Sequence, residues 1–455
     1  MPNNDLKEAI VSENVTPNDG RSDEADGAVH HSHHHRHHSK AYYRYRRKKH
    51  KVKKFIKKHP VAVSVTVSVL VLGLLSVLLW QGLSGRTAVS ESELSSDITA
   101  ESVSNDAQLS LVLPAISEPQ LLVRSAVNEY ANSEELLDLS TLLVGIDSKE
   151  RLDQGLSVTL PCSITSLPAG VSLESSSVTV SENADFSDGV TFENALVNQS
   201  VTLRYLKTGT TYYYRVTATL SNGSSLNSEG QFQTASTPRI LSIDGIANVR
   251  DIGGWKTADG KQIRQGLLYR GSELDGRYDA SLKITDSGIV DVHNYLGIVA
   301  EFDLRKASGA LPQQSTFGTN ITYNTYAIQY YNSIFSTAQQ QELGRLFSDL
   351  AQESNYPLYM HCTYGLDRTG TVCYLLEALL GLDDVDLIKE YELSGFCYTD
   401  QSFRSPDSDF SLFVKEFQNL EGNTTQEKAE NYLLSCGVTS DELAKIKEIL
   451  LEDAS

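Results

Sequence analysis

The sequence predicts a multidomain protein: a single transmembrane helix, then a β-sandwich, then an α/β domain. Three observations predict this order. They are an uncharged apolar run from Val61 to Leu83, alternating Val, Ser, Thr and Tyr over 155–236, and alternating strand-like and helix-like runs over 237–455. A chain of 455 residues is also too long for one core. The predicted parts are a tail (1–59), a membrane helix (60–83), a stalk (84–153), a sandwich (154–236) and the α/β domain (237–455).

Charge is distributed unevenly along the chain. The net charge is −19, but residues 1–83 carry +7 and the remainder carries −26. An acidic body repels the phosphate backbone of nucleic acids, so we expect no nucleic-acid partner. The five Cys are too few for a disulfide scaffold, and only His293 and His361 lie beyond residue 59. We therefore expect neither a metal nor a cofactor in the body.

The first 83 residues are predicted to form a cytoplasmic tail and an uncleaved signal anchor. The tail is too polar for a core and includes a His-rich run at 30–38, so we expect disorder. Ten Lys and Arg occupy 44–58, and the 23 uncharged residues at 61–83 would span about 34 Å as a helix. Because basic residues stay on the inner side, the body should face outward. A cleaved signal peptide is the alternative, but the long segment ahead of the apolar run is unusual for one.

Residues 84–236 precede the α/β domain and differ in character along their length. Residues 84–153 are rich in Ser, Glu, Leu and Ala without a strong period, which predicts a stalk. Residues 154–236 predict short antiparallel strands, with a turn before Thr211–Ala218 and another at Asn222-Gly223. The second half of this stretch resembles a fibronectin type III domain, in which a Tyr after the turn fastens the sheet corner. The resemblance implies a spacer or binding surface rather than a catalyst.

The α/β domain contains one segment whose residues indicate chemistry. A predicted strand, Tyr356–Cys362, leads into a predicted helix, Arg368–Leu380. The intervening loop would sit at the helix N-terminus, where backbone N–H groups bind a phosphate dianion and favour a thiolate at Cys362. Arg368 offers two parallel donors to phosphate oxygens, and the Thr369 hydroxyl can reach the sulfur. The residues expected around the anion are Thr363, Tyr364, Gly365, Leu366 and Thr369.

The run His361-Cys362-Thr363-Tyr364-Gly365-Leu366-Asp367-Arg368-Thr369-Gly370 resembles the signature loop of protein tyrosine phosphatases. The bacterial branch of that family has the loop His-Cys-x-x-Gly-Lys-Asp-Arg-Thr-Gly. Three further segments resemble the branch: Asn-Val-Arg-Asp-Ile-Gly-Gly from Asn248, Gly-Leu-Leu-Tyr-Arg-Gly-Ser from Gly266, and Phe-Asp-Leu-Arg from Phe302. The resemblance covers the last domain and implies metal-independent chemistry. It also implies that Cys362 is the nucleophile, Arg368 the phosphate clamp and Asp367 the general acid.

The identity of the acid is open between two residues. Asp367 lies in the loop and comes first, and Asp303 at the end of a predicted strand comes second. The alternative for Asp303 is that its carboxylate fixes a neighbouring loop. Arg250-Asp251 is expected to form a structural turn with Gly253-Gly254. The candidate secondary members of the site are Asp303, Arg305 and Arg270.

Three functions compete. The leading hypothesis is a membrane-anchored, outward-facing phosphatase for phosphotyrosine in proteins or for a small phosphomonoester. The second is an inositol polyphosphate or phosphoinositide phosphatase. The charge of −26 and Leu366, which replaces the Lys of the branch, count against it because such substrates need a basic pocket. The third is an inactive surface binding or adhesion protein, which the presence of Cys362, Asp367 and Arg368 argues against.

The predicted topology can be tested on intact cells. Protease added outside should release a soluble fragment that contains residues beyond about 100, because the apolar run would hold the chain from its N-terminal side. Immunoblotting of the supernatant against the C-terminal domain measures the release. Protection of this fragment until the cells are lysed would reverse the orientation.

Overall fold

The computed structural model describes residues 108–146, 151–398 and 403–454. The predicted tail (1–59) and membrane helix (60–83) lie outside these residues. Within the described ranges, no helix combines the length and the apolar character needed to cross a membrane. The helices and strands below belong to one compact unit of the chain.

The residues that precede the sandwich are folded against both domains. They form β1 (Ser110–Val112), α1 (Ser125–Asn132) and α2 (Leu139–Leu142). Strand β1 pairs antiparallel with β3 (Ser163–Thr165) of the sandwich. Helix α1 buries Val127 and Tyr130 in the same apolar core as the C-terminal domain. Residues 108–146 therefore differ from the stalk predicted for 84–153. No strong period is visible in these residues because the three elements are only 3, 8 and 4 residues long.

The sandwich consists of two antiparallel sheets. The three-stranded sheet has the order β2-β7-β6, and the four-stranded sheet has the order β5-β4-β8-β9. The strands are β2 (Val158–Pro161), β4 (Leu173–Ser181), β5 (Val190–Glu193), β6 (Leu196–Val197), β7 (Ser200–Leu203), β8 (Thr211–Leu220) and β9 (Ser225–Gln233). Alternate residues of β8 are buried, so one face of the sheet covers the apolar core and the other faces outward. The hydroxyl of Tyr212 accepts a hydrogen bond from Lys207 N at 2.9 Å and fastens the turn before β8.

The C-terminal domain is an α/β domain around one mixed sheet. Its strands are β10 (Arg239–Ile240), β11 (Arg250–Asp251), β12 (Lys261–Ile263), β13 (Leu268–Gly271), β14 (Ala300–Asp303), β15 (Thr322–Thr325), β16 (Leu358–His361) and β17 (Leu451–Asp453). Its helices are α3 (Asp286–Asp291), α4 (Thr337–Leu350), α5 (Asp367–Leu380), α6 (Asp384–Glu392), α7 (Ser394–Tyr398), α8 (Asp409–Gln418), α9 (Thr425–Ser435) and α10 (Ser440–Leu450). A 3₁₀ turn at Tyr331–Phe335 precedes α4.

The order of the strands places β16 between β13 and β14, inside the sheet. The order is β10-β11-β13-β16-β14-β15, and β13, β16, β14 and β15 are parallel. In this register Gly271, His361 and Asp303 lie side by side at the carboxyl ends of adjacent strands. Ligands of open α/β sheets bind at such carboxyl ends. The chain that follows β16 is therefore in the position where a site is expected.

Candidate active site

The residues predicted to carry the chemistry lie between β16 and α5, in a segment that we call the cysteine loop (residues 362–368). Cys362 directly follows β16 and is 3% exposed. The backbone at Gly365 has a φ of +67°, and a Cβ there would lie 2.4 Å from the carbonyl oxygen of Gly271. Only glycine fits this turn, so the tight packing of the cysteine loop against the end of β13 fixes its course.

The carbonyl groups of the cysteine loop are held from outside by Asn248, by Arg270 and Glu273 at the end of β13, and by the Tyr398 hydroxyl, which also donates to Tyr364 O. Thr363 O accepts from the backbone N of Glu273 at 3.0 Å. Tyr364 O accepts from Asn248 Nδ2 at 3.1 Å, and Gly365 O accepts from Arg270 Nη2 at 2.8 Å. In a trans peptide the N–H points away from the preceding carbonyl. The N–H groups of residues 364–366 are therefore turned to the opposite side, which is the arrangement of an anion-binding nest.

One buried carboxylate, Glu390 on α6, orders the donors that hold the loop. Its two oxygens accept from Arg250 Nε and Arg270 Nη1, each at 2.6 Å. Arg250 also donates to the side-chain oxygen of Asn248 at 2.6 Å, which fixes the amide that binds Tyr364. Burial alone would raise the pKa of Glu390, but the two guanidinium groups outweigh it and lower the pKa. Glu390 is therefore ionised at neutral pH and pairs with both arginines.

A second buried carboxylate, Glu377, lies further along α5. It is fully buried, and neither of its oxygens has a hydrogen-bond partner among the described residues. Burial and the charge of Glu390 raise the pKa of Glu377 well above its ordinary value, and Arg270 and Arg250 offset this only in part. These surroundings favour the protonated form of Glu377. In that form the side chains of Arg250, Arg270, Glu390 and Glu377 together carry one net positive charge.

Asp251 takes part in the structural turn with Gly253 that the sequence predicted, whereas Arg250 does not. Asp251 accepts from the backbone N of Gly253 at 2.8 Å, from Gly266 N at 2.6 Å, and from Arg239 Nη1 at 2.7 Å. Arg250 does not share this turn. Successive residues of β11 point to opposite faces, so Arg250 joins the buried carboxylate described above.

Arg368 and Thr369 bring unsatisfied polar atoms to the cysteine loop. Nη1 of Arg368 and Oγ1 of Thr369 are buried and have no hydrogen-bond partner in the part of the chain that the structure describes. An unpaired buried polar group costs about 1–3 kcal/mol, and more when it is charged. A bound anion would satisfy the guanidinium. The Thr369 hydroxyl makes no hydrogen bond to the sulfur of Cys362 in this structure, so its role toward the sulfur stays a prediction.

Asp367, the first candidate for the acid, begins α5 and is half-buried. Its Oδ1 accepts from the hydroxyl of Tyr331 at 2.5 Å, and the hydroxyls of Tyr331 and Tyr391 are 2.6 Å apart. Burial and the charge of Asp367 raise the pKa of Tyr331 well above its ordinary value. The Tyr331 hydroxyl therefore stays protonated as a donor and holds the carboxyl group of Asp367 in one orientation.

Asp303, the second candidate, is fully buried and occupied by other contacts. It accepts from Arg305 N and Nε at 2.9 Å, from Arg305 Nη2 at 2.7 Å and from the hydroxyl of Tyr323 at 2.8 Å. Burial would raise the pKa of Asp303, but His361 and Arg305 lower it to about 2. With this pKa, Asp303 is ionised at neutral pH and has no proton to donate to a leaving group. Its contacts agree with the alternative that Asp303 fixes a neighbouring loop.

The buried cluster of Glu301, Asp303 and His361 is an ion-pair network rather than an evident metal site. One ligand atom from each lies within 4.8 Å of the others. His361 Nε2 is 3.0 Å from Glu301 Oε1, however, and both Asp303 oxygens are taken by Arg305. Burial lowers the pKa of His361, but Asp303 and Glu301 outweigh it and raise the pKa. The raised pKa favours the protonated imidazole, which has no lone pair for a metal.

The predicted secondary residues support the loop and do not line it. Arg270 is fully buried between Glu390 and Gly365 O. Arg305 is 1% exposed and joins Asp303 to Glu273 at 2.6 Å, and Glu273 N in turn holds Thr363. The exposed side of the site carries aromatic and aliphatic groups. Leu366 packs partly against the core, and the Tyr364 and Tyr398 rings meet edge to face at 5.7 Å.

Sequence reasoning missed Glu390 and Tyr331. Glu390 lies three residues after Leu387, on the face of α6 that helical periodicity assigns to the core. A charged residue at a position predicted to be buried was the signal that could have identified it. Tyr331 gave no comparable signal. It reaches Asp367 across 36 residues from a turn whose backbone has a φ of +53°, which no sequence spacing predicts.

Comparison with known proteins places this architecture in a class. Residues 241–452 match the model of the tyrosine phosphatase family. The C-terminal domain is therefore similar in sequence to the members of that family. This confirms the family predicted for the last domain, while the fibronectin type III resemblance of the sandwich stays a resemblance.

Individual relatives cover only part of the chain. A "putative tyrosine-protein phosphatase" of Cupriavidus necator is 26% identical over 178 residues, which are 33% of this chain and 61% of that protein. The chain thus spans about three fifths of the length of this relative. Among solved structures, the core catalytic domain of a PP-IP phosphatase from S. cerevisiae, in complex with citrate, aligns with 16% identity and a TM-score of 0.23. That alignment covers 34% of this chain and 92% of the yeast chain.

Gly365→Ala should disable the cysteine loop, and Gly437→Ala provides a matched control. Both glycines have positive φ, at +67° and +91°, but a Cβ at Gly437 meets nothing within 4 Å. Each variant should lose about 1–2 kcal/mol of stability from the backbone alone. Because the new Cβ at Gly365 must displace the backbone of Gly271, we expect kcat/KM for p-nitrophenyl phosphate to fall about a hundredfold in that variant only. Equal activity in both variants would contradict the assigned loop geometry.

Proposed function

We propose that this chain is a membrane-anchored, outward-facing phosphomonoesterase of the protein tyrosine phosphatase type, which works through a phosphocysteine intermediate. The observation that carries the proposal is the cysteine loop. Its carbonyl groups at 363–365 are bound from outside, its guanidinium at Arg368 has an unsatisfied nitrogen, and Cys362 lies at its start. An oxyanion with three equatorial oxygens fits these donors, and its charge fits the net positive cluster of Arg250, Arg270, Glu390 and Glu377.

The proposed first step is phosphoryl transfer to the protein. Cys362 Sγ attacks phosphorus in line, an S–P bond forms, and the bond from phosphorus to the leaving oxygen breaks. Asp367 donates its proton to that oxygen. Arg368 and the N–H groups of the loop hold the equatorial oxygens as charge develops on them.

The second step releases phosphate. A water molecule attacks phosphorus while the Asp367 carboxylate takes its proton, and the S–P bond breaks with the electron pair returning to sulfur. Thr369 can donate its hydroxyl to the departing thiolate. Atoms and charge balance over the two steps, and Asp367 ends as it began, protonated.

Phosphotyrosine in proteins or a small aromatic phosphomonoester is the substrate class that we favour. At the rim, Leu366 stands where the resembling bacterial branch has Lys, and Tyr364 and Tyr398 add aromatic surface. The body of the chain carries −26. An inositol polyphosphate or phosphoinositide would need compensating positive charge at this rim. An inactive surface binding protein is the remaining alternative, and a turnover assay separates it from both enzyme functions.

The membrane part of the proposal rests on the sequence alone. The ten basic residues at 44–58 and the apolar run at 61–83 support a single-pass anchor with a cytoplasmic N-terminus. In that arrangement the domain would act on substrates outside the cell.

Cys362→Ser should abolish turnover while binding of phosphate analogues persists. A serine hydroxyl is far less ionised than a thiol at neutral pH, but the loop N–H groups and Arg368 remain. Turnover of p-nitrophenyl phosphate, with and without EDTA, measures the first effect, and vanadate titration measures the second. Cys436→Ser, a buried thiol outside the loop, is the control and should keep full activity. Residual activity of Cys362→Ser above about a tenth of wild type would exclude the phosphocysteine route.

Leu366→Lys should shift substrate preference toward polyphosphorylated substrates. At an effective dielectric near 20, a charge pair at about 4 Å is worth on the order of 4 kcal/mol before screening and desolvation. Even about 1.4 kcal/mol that survives would change relative turnover about tenfold. The measurement is kcat/KM on a phosphotyrosine peptide and on a phosphoinositide.

Leu412→Lys is the matched control for this shift, because it adds the same charge at a leucine of α8 that is already 41% exposed. Its substrate ratio should equal that of wild type. If wild type already prefers the phosphoinositide, or if Leu366→Lys leaves the ratio unchanged, charge at the rim does not determine substrate choice.

A further inference from the structure

The part of the chain that matches the phosphatase family begins at residue 241, yet buried contacts reach the supports of the cysteine loop from earlier residues. Three such contacts cross this boundary. They come from the segment before the sandwich (α1), from the connection between α2 and β2 (residues 151–153), and from Arg239. The first two end on a helix and on a residue that order the loop, and the third ends on Asp251, the neighbour of Arg250.

The shortest of these paths runs through Asp153. Its carboxylate is 4% exposed and accepts from the backbone N of Asn248 at 3.1 Å. The side chain of that same Asn248 donates to Tyr364 O in the loop. Arg151 holds Asp153 in place with two parallel bonds at 2.7 and 2.8 Å. The backbone at Asn248 has a φ of +56°, a conformation that a non-glycine residue keeps only when its surroundings impose it.

The second path runs through α1. The hydroxyl of Tyr130 donates to Glu392, and Lys389 Nζ donates to Ser133 O. Glu392 and Lys389 both lie on α6, the helix that carries Glu390. Tyr130 itself is fully buried. Packing of α1 therefore fixes the helix from which the central carboxylate reaches Arg250 and Arg270.

The third path connects the sandwich to Asp251 of β11 through Arg239. Arg239 donates from Nε to Leu206 O at 2.9 Å and from Nη2 to Tyr205 O at 2.5 Å, both in the sandwich corner. Its Nη1 donates to Asp251 at 2.7 Å. The sandwich corner and the turn at Asp251 are thereby joined through one guanidinium that is 4% exposed.

We propose that Asp153 is a positioning residue for the cysteine loop, and that the catalytic unit of this chain includes α1 and residues 151–153, ahead of the family domain. Asp153 acts through Asn248: its bond to the Asn248 backbone sets the amide that holds Tyr364 O, which turns the next N–H toward the anion. This inference rests on the proposed function. It concerns residues that a fragment cut at residue 241 would lack.

The test compares Asp153→Ala with Asp153→Asn in the full chain. Alanine removes the acceptor, whereas the asparagine oxygen can still accept from Asn248 N. We expect kcat for p-nitrophenyl phosphate to fall about tenfold to a hundredfold in the alanine variant, with KM changed less than about threefold, because misplaced donors act mainly on the transition state. Asp153→Asn should recover kcat to within about threefold of wild type. Full activity of Asp153→Ala, or equal loss in both variants, would overturn the proposal.

A double-variant comparison shows whether Asp153 acts through Asn248. Asn248→Ala alone removes the amide donor to Tyr364 O and leaves the Tyr398 hydroxyl as the other donor to that oxygen. If the two residues form one path, adding Asp153→Ala should lower kcat by no more than about twofold further. Losses that multiply would instead mean that Asp153 acts independently, which would contradict the assignment.

Two controls separate this inference from general damage and from failure of the proposed function. Asp188→Ala removes a carboxylate that accepts from Ser181 and Glu182 N in the sandwich, and it should leave kcat unchanged. Should Asp153→Ala not fold, Arg151→Ala removes only a half-exposed partner and should lower kcat about threefold. No loss in that variant would overturn the proposal. An inactive wild type would refute the proposed function itself, whereas an active wild type with insensitive Asp153 variants refutes only this inference.

Discussion

The candidate site depends on one buried ion-pair system, in which Glu390 binds the guanidinium groups of Arg250 and Arg270. Burying charges costs several kcal/mol for each ion unless the geometry and the remaining hydrogen bonds compensate. Here every partner continues the network: Arg250 reaches Asn248, and Arg270 reaches Gly365 O. The interaction is therefore better understood as fixing one backbone conformation of the loop than as a source of net stability.

The sequence predicted the parts of this site that are local. The apolar strand and the helix ahead of Gly381 follow from adjacent residues, and the helix begins at Asp367, one residue before the predicted Arg368. The role of Asp251 followed from neighbouring glycines. The partners of Arg250 and Asp367 could not be predicted in the same way. They depend on contacts across 140 and 36 residues, which only the packed sheet and helices bring together.

The segment before the sandwich shows why composition alone misleads. Residues 108–146 appeared to be a stalk because their apolar residues have no strong period. In the structure that segment is divided into a strand that extends the sandwich and two short helices that enter the C-terminal core. Each piece is too short to show periodicity, yet Val127 and Tyr130 are completely buried. Tertiary contacts, and not a change of composition, therefore decide whether such a segment is a spacer or part of a folded domain.

The excess positive charge around Glu390 has a thermodynamic consequence. In the protonated form of Glu377 that burial favours, the carboxylate of Glu390 balances only one of the two guanidinium groups, and Arg368 adds a further cation with an unsatisfied nitrogen. A bound anion would lower the free energy of the native state, because it would offset the repulsion among these cations. By mass action, an anion at a hundred times its dissociation constant would stabilise the native state by about 2.7 kcal/mol. Phosphate, the product of the proposed reaction, would thus act as a folding ligand, and the empty enzyme would be its least stable form.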